Sequence, residues 1–135
     1  MKHIRLLITE KCNAECPNCF NASFRKSKEM TLEEIERLSL FFSSNGVSTV
    51  FVEGGEPTIH PAFKDAIIIL QDKFEQVVLF TNAMSDAIYS FNPRNSDSIV
   101  YNFNFVSDSF DANKYLPHKS GKRSAMIQIS VKTDV

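Results

Sequence analysis

Five short apolar runs punctuate this chain: Ile4 to Ile8, Thr49 to Glu53, Val77 to Thr81, Ile99 to Val106 and Ala125 to Val131. Helix-patterned stretches separate the first three, and that alternation is the rhythm of βαβ units, which restricts the chain to an α/β architecture. With 135 residues, 43% of them hydrophobic and 12 of them Phe, the chain can bury one sizeable core but hardly two. A single domain over residues 1–135 is the expectation.

The first helix is well marked. Thr31 is placed to cap it, Glu34 completes a capping box, and Met30 and Ile35 stand where a hydrophobic staple would form. Its expected apolar stripe is Leu32, Ile35, Leu38 and Phe41, with Gly46 just past the end where a left-handed residue is often needed. The second helix is expected from about Phe63 to Phe74, entered through His60-Pro61, with Phe63, Ala66, Ile67, Leu70 and Phe74 on one face. Beyond the third run the pattern weakens. Ser85 to Phe91 has room for a short helix, Asn92 to Asp97 is rich in turn formers, and Asp111 to Leu116 could hold one helical turn inside a polar linker from Ser107 to Ser124.

Alternation in the last two runs sets Ile99, Tyr101, Phe103 and Phe105 on one face and Asn102 and Asn104 on the other. Ile127, Ile129 and Val131 likewise oppose Gln128 and Ser130. Two such strands side by side would give either a polar wall to a cavity or a half-exposed sheet face. The direction of the fifth strand is open, because a parallel crossover normally needs a dozen or more connecting residues, usually with a helix.

Three cysteines, Cys12, Cys16 and Cys19, form C-x3-C-x2-C directly after the first run and are the only cysteines in the chain. Three clustered thiolates can hold a metal centre while leaving one coordination position open. Their odd number, and an N-terminal KHIRLLITEKC without the apolar core of an export signal, argue for a reducing compartment over a disulfide framework. The expectation is a cytoplasmic protein. A formal net charge of -1, from 15 basic and 16 acidic residues, gives no footprint for nucleic acid or an anionic membrane. Spacing alone leaves an iron-sulfur cluster, a zinc site completed by His3 or His60, and plain core cysteines as alternatives.

The groups capable of chemistry fall just after the runs: the cysteines after the first, Gly54, Gly55 and Glu56 after the second, Thr81 and Asn82 after the third, and Ser107, Asp108 and Ser109 after the fourth. In a parallel sheet these loops converge at one edge. C-x3-C-x2-C followed by EGGEPTIHP resembles the radical S-adenosylmethionine superfamily, and the paired motifs carry the resemblance over most of the chain. It implies a partial (β/α) barrel of about five βα units out of the family's usual six, lacking the last. It also implies a [4Fe-4S] cluster with Cys12, Cys16 and Cys19 on three irons, the fourth iron taking the amino and carboxylate groups of S-adenosyl-L-methionine.

By the same resemblance, Gly54, Gly55 and Glu56 would meet the methionine ammonium. Asn82, with Thr81, would lie near cofactor or substrate, and Ser107 and Asp108 near the ribose. A low-potential electron donor such as flavodoxin or ferredoxin follows, as does 5'-deoxyadenosyl radical chemistry on a substrate that is a peptide or protein in the members most alike, with a small molecule still open. Asn18 stands where the family often has an aromatic near the adenine, with Phe20 as a nearby substitute. Glu53 is a further candidate acid; His60 and His118 read as turn and linker residues. The competing reading is a catalytically incomplete or metal-stabilised binding module that needs a partner.

Overall fold

The computed structural model describes residues 2–11, 28–83, 85–104 and 125–130. Within them the chain runs β1 (Lys2–Thr9), α1 (Leu32–Ser44), β2 (Val47–Gly54), a 3-10 turn (Pro57–Ile59), α2 (Phe63–Lys73), β3 (Gln76–Thr81), a second 3-10 turn (Asp86–Ser90), β4 (Ser98–Asn104) and β5 (Ala125–Ser130). The strands form one sheet in sequential order, and every neighbouring pair is parallel. An all-parallel sheet in sequential order, with helices on one side, is an α/β partial barrel.

The first helix is capped as its sequence suggests. The Thr31 hydroxyl oxygen accepts from the Glu34 N–H at 3.1 Å and its O–H donates to the Glu34 carboxylate at 3.1 Å. Gly46, just past the Asn45 C-cap, takes φ 86. The buried stripe differs from expectation at its end, because Phe41 is 60% exposed. Ser39 is buried in the stripe, its hydroxyl satisfied by the Ile35 carbonyl at 2.6 Å, and Phe42 packs against the core instead. An i, i+3, i+4, i+7 face starting at Leu32 runs through Ile35 and Ser39, and hydrophobicity alone had no reason to select a serine.

Residues of alternate parity divide the sheet. Leu6, Ile8, Val50, Val52, Val77, Leu79, Ile99 and Tyr101 share one core with Ile35 of α1 and Phe63, Ala66, Ile67 and Leu70 of α2. Burying a large aliphatic side chain contributes about 1.5–3 kcal/mol, so this interface is the main stabiliser of the described fold. Phe74 remains part of that core as the α2 C-cap. Ser85 to Phe91 forms a 3-10 turn capped by the Ser85 hydroxyl, which accepts from the Ala87 N–H at 3.2 Å.

The fifth strand is parallel to the fourth, with Tyr101 opposite Ile127, Asn102 opposite Gln128 and Asn104 opposite Ser130. Polar positions thus meet polar positions across the pair, and apolar meet apolar. The suggested helical turn at 111–116 lies outside the described residues.

The Asn92 to Asp97 stretch is anchored rather than loose. Asp97 is fully buried and accepts from the Val77 N–H at 2.8 Å, the Gln71 side chain at 3.0 Å and Arg94 through N at 2.8 Å and Nε at 2.9 Å. Arg94 also donates to the Gln71 and Phe74 carbonyls at 2.7 and 3.0 Å, tying the C-terminus of α2 to the start of β3.

Candidate functional site

The loops that follow β1, β2 and β3 meet at the C-terminal edge of the sheet, and the GGEPTIHP segment is their hub. The Gly55 N–H donates to the Thr9 carbonyl at 2.9 Å and the Glu56 N–H to the Lys11 carbonyl at 2.8 Å. Gly54 has φ 154, and a Cβ there would press on the Thr9 carbonyl oxygen. At Gly55 a Cβ would overlap the carbonyl of Lys11, with the Glu10 carbonyl oxygen 2.7 Å away. Only glycine lets the backbones come this close, and Lys11 directly precedes Cys12.

The segment that carries the cysteines leaves and returns through a bracket. Thr9 and Glu29 form an antiparallel bridge, the Glu10 N–H donates to the Lys28 carbonyl at 2.9 Å and the Met30 N–H to the Ile8 carbonyl at 2.9 Å. Lys11 pairs with Glu29 at 2.8 Å, and this hydrogen bond from Lys11 holds the Glu29 carboxyl below its ordinary range. Cys12, Cys16 and Cys19 lie outside the described residues, as do Asn18 and Phe20.

His60 fixes the returning side. Its Nδ1 accepts from the Ala62 N–H at 3.0 Å, so Nε2 carries the proton and donates to the Met30 carbonyl at 2.6 Å. Both ring nitrogens are used, leaving no lone pair for a metal. His3, the other histidine weighed as a zinc ligand, sits at the far end of β1 from Cys12, its ring 4.9 Å from that of Phe51.

Glu56 is only 2% exposed. Its Oε2 accepts from the Thr81 hydroxyl at 2.7 Å, the Thr58 N–H at 3.2 Å and the Thr58 hydroxyl, and its Oε1 from the Asn82 N–H at 2.8 Å. Burial pushes this carboxyl above its ordinary range, opposed by the hydrogen bonds from Thr58, Asn82 and Thr81. The structure therefore brings Gly54, Gly55, Glu56 and Asn82 together, with Thr81 between the last two. Ser107 and Asp108 lie outside the described residues.

On the sheet face opposite the described helices, Arg5 pairs with Glu53 at 3.3 Å and lies 5.8 Å from the Phe51 ring centroid. Phe51 meets Phe80 edge-on at 5.8 Å. Glu53 thus faces the concave side, paired with a cation that sequence reasoning had not selected. The period-two alternation of β1, which sets Arg5 on the face opposite Leu6 and Ile8, was the available signal. Thr58 was also missed, because its role depends on where the buried Glu56 carboxylate points.

The family profile of the Radical SAM superfamily matches residues 6–111. "Molybdenum cofactor biosynthesis protein moc-5" of Caenorhabditis elegans is 31% identical over 122 residues, which cover 84% of this chain and 20% of that protein. "Molybdenum cofactor biosynthesis protein 1" of Drosophila melanogaster is 32% identical over 88 residues, 61% of this chain and 16% of the relative. The chain thus spans a fifth or less of the length of these curated relatives. Among solved structures, BtrN in complex with AdoMet and 2-DOIA superposes with a TM-score of 0.70 at 12% identity, covering 93% of this chain and 56% of that one. Streptococcus suis SuiB bound to S-adenosylmethionine gives a TM-score of 0.65 at 21% identity, covering 74% of this chain and 24% of that one. At these identities the superpositions establish a shared fold.

Proposed function

The chain belongs to the radical S-adenosylmethionine superfamily, and from that premise we propose that it is the cofactor-binding part of a radical enzyme acting on a small molecule. The carrying observation is the hub at the sheet edge, where the Gly55 N–H holds Thr9 and the Glu56 N–H holds Lys11, the residue before Cys12 in sequence, while the Glu56 carboxylate holds Asn82. Three soft thiolates suit an iron-sulfur cluster, and the only described histidine next to their bracket has both nitrogens engaged. The residues present fit a [4Fe-4S] cluster on Cys12, Cys16 and Cys19 with S-adenosylmethionine beside it.

When bound, that pair supplies one-electron reductive cleavage of the sulfonium to a 5'-deoxyadenosyl radical, with the electron drawn from a donor of the flavodoxin or ferredoxin kind. The chain's own part is placement. Gly54 and Gly55 provide side-chain-free backbone beside the cysteine segment, Asn82 a polar group from the next loop, and Ser107 and Asp108 are assigned to the ribose side. The concave face with Arg5, Phe51, Glu53 and Phe80 is where a substrate would be aligned and water excluded. A peptide or protein substrate, expected from the motif context, loses ground because the curated relatives are named for biosynthesis of a cofactor.

The test is anaerobic reconstitution followed by spectroscopy with and without S-adenosylmethionine and an assay for 5'-deoxyadenosine after reduction. The proposal expects a four-iron cluster whose spectrum shifts with the cofactor, and product after reduction. Cys16→Ala should abolish cluster assembly. A stoichiometric zinc site in anaerobically purified protein, or no spectral response to the cofactor, would overturn the reading.

A further inference from the structure

A buried carboxylate is an expensive way to cap a turn. Glu56 receives its hydrogen bonds from two hydroxyls and two backbone N–H groups, and among the described residues no lysine, arginine or histidine donates to it. Desolvating an uncompensated carboxylate costs several kcal/mol as a rule, and a neutral side chain would serve a simple turn. What a carboxylate adds is acceptor character alone, with room for several donors from different directions.

That property has a mechanical consequence across the site. When ionised, Glu56 can only accept, so the Thr81 hydroxyl donates to it and the lone pairs of Thr81 Oγ1 turn toward the chain ahead. They accept from the Ala83 N–H at 3.0 Å. Ala83 stands there at φ 56, a left-handed conformation unusual for alanine, and is 1% exposed. Asn82 lies between these two fixed points, with its own N–H on Glu56. The turn after β3 is thus set by a side chain that follows β2, 26 residues earlier.

We propose that Glu56 is a positioning residue: its carboxylate fixes Asn82 and the turn after β3 relative to Gly54 and Gly55, and does not itself contact the amino group of the cofactor. The second half of this inference rests on the radical S-adenosylmethionine reading; the first half does not.

The two halves are tested separately. In the protein without cofactor, amide hydrogen exchange is measured residue by residue for wild type, Glu56→Gln, Thr81→Val and the double variant. Glu56→Gln should speed exchange at Asn82 roughly tenfold or more, the worth of a hydrogen bond to a charged group, and Thr81→Val should speed Ala83 by up to about tenfold, the worth of a bond to a neutral hydroxyl. The Val77 amide, held by Asp97 at the other end of β3, should be unchanged. At the Ala83 amide the double variant should be no worse than Thr81→Val alone, because Glu56 reaches that amide only through the Thr81 hydroxyl. If Glu56→Gln loosens the whole fold, the Asn82 amide in Thr81→Val decides the matter: with the carboxylate kept, it should stay protected while Ala83 exchanges faster, and loss of protection at both would overturn the role. Unchanged exchange at both amides in both single variants would overturn the positioning role.

In the anaerobically reconstituted protein, affinity is measured for S-adenosylmethionine and for its analogue lacking the amino group. Glu56→Gln should change both affinities by the same factor within about twofold. A loss of tenfold or more confined to S-adenosylmethionine would make the carboxylate an amino-group ligand and overturn the inference. If wild type binds neither compound, the cofactor reading and this second half fail together, while the exchange measurement still decides the first half.

Discussion

Glu56 and Asp97 are both buried carboxylates that accept several hydrogen bonds, yet they stand at opposite edges of the sheet and are held by different chemistry. Asp97, at the N-terminal edge, has a guanidinium beside it, and Arg94 reaches past it to the carbonyls at the end of α2. Burial raises its carboxyl, but the hydrogen bonds from Arg94, Val77 and Gln71 together bring it below the ordinary range. Glu56, at the C-terminal edge, has only neutral donors among the described residues, and there burial wins. One edge is an anchor whose charge is compensated. The other holds a buried carboxyl that has no cationic partner among the described residues, set among the loops that form the candidate site, the kind of perturbation that functional sites concentrate.

The largest effect should come from forcing the site edge open. Gly55→Ala places a Cβ on the Lys11 carbonyl, and a cost of about 3 kcal/mol in urea unfolding is expected together with loss of cluster assembly. A variant that assembles a normal cluster would show that the close approach of the two backbones is dispensable.

Next comes the anchor. Asp97→Asn leaves the half-buried Arg94 without its anion, and a loss of about 2 kcal/mol is expected from denaturant midpoints, discounted because Arg94 is 39% exposed. Glu56→Gln deletes a charge that burial already disfavours, so its cost should be smaller, about 1 kcal/mol. Equal losses at the two positions would break the contrast between the edges.

The smallest and sharpest effect is in pH. A carboxyl lowered in the folded state contributes stability above its unfolded value, near 3.9 for Asp, and loses it as pH falls through the folded value. The advantage of wild type over Asp97→Asn should therefore shrink on acidification below about pH 4. A carboxyl raised in the folded state behaves oppositely, contributing most below its unfolded value, near 4.3 for Glu, and losing that contribution as pH rises through the folded value. The stability of wild type relative to Glu56→Gln should thus fall as pH rises above about 4.3. Urea midpoints across the acid range check both, and slopes of the same sign would refute the assignment of opposite shifts.

Much of the fold was legible because its signals are local. Thr31 and Glu34 cap α1 as their spacing requires, and the apolar runs locate each described strand within a few residues. The exchange of Phe41 for Phe42 on the buried face was not legible, since it depends on a serine satisfying its own hydroxyl inside the helix. Nor was the clamp at Arg94 and Asp97, which reads as a polar turn until β3 and the end of α2 are brought to it. At the site, the motif residues were visible but the partners of Glu56 were not, because Thr81 and Asn82 lie some 25 positions away in sequence.

The sequence by itself determined the element types, the order of strands and helices, and the clustering of chemical groups after successive strands, because periodicity, capping and motif spacing are properties of neighbouring residues. Only the tertiary structure decided that β5 runs parallel, that His60 has no nitrogen to offer a metal, and that the Glu56 carboxylate turns inward to hold the next loop. Those outcomes depend on which donors a folded backbone brings within hydrogen-bond distance and on how much water it removes, and neither quantity is carried by any short stretch of chain.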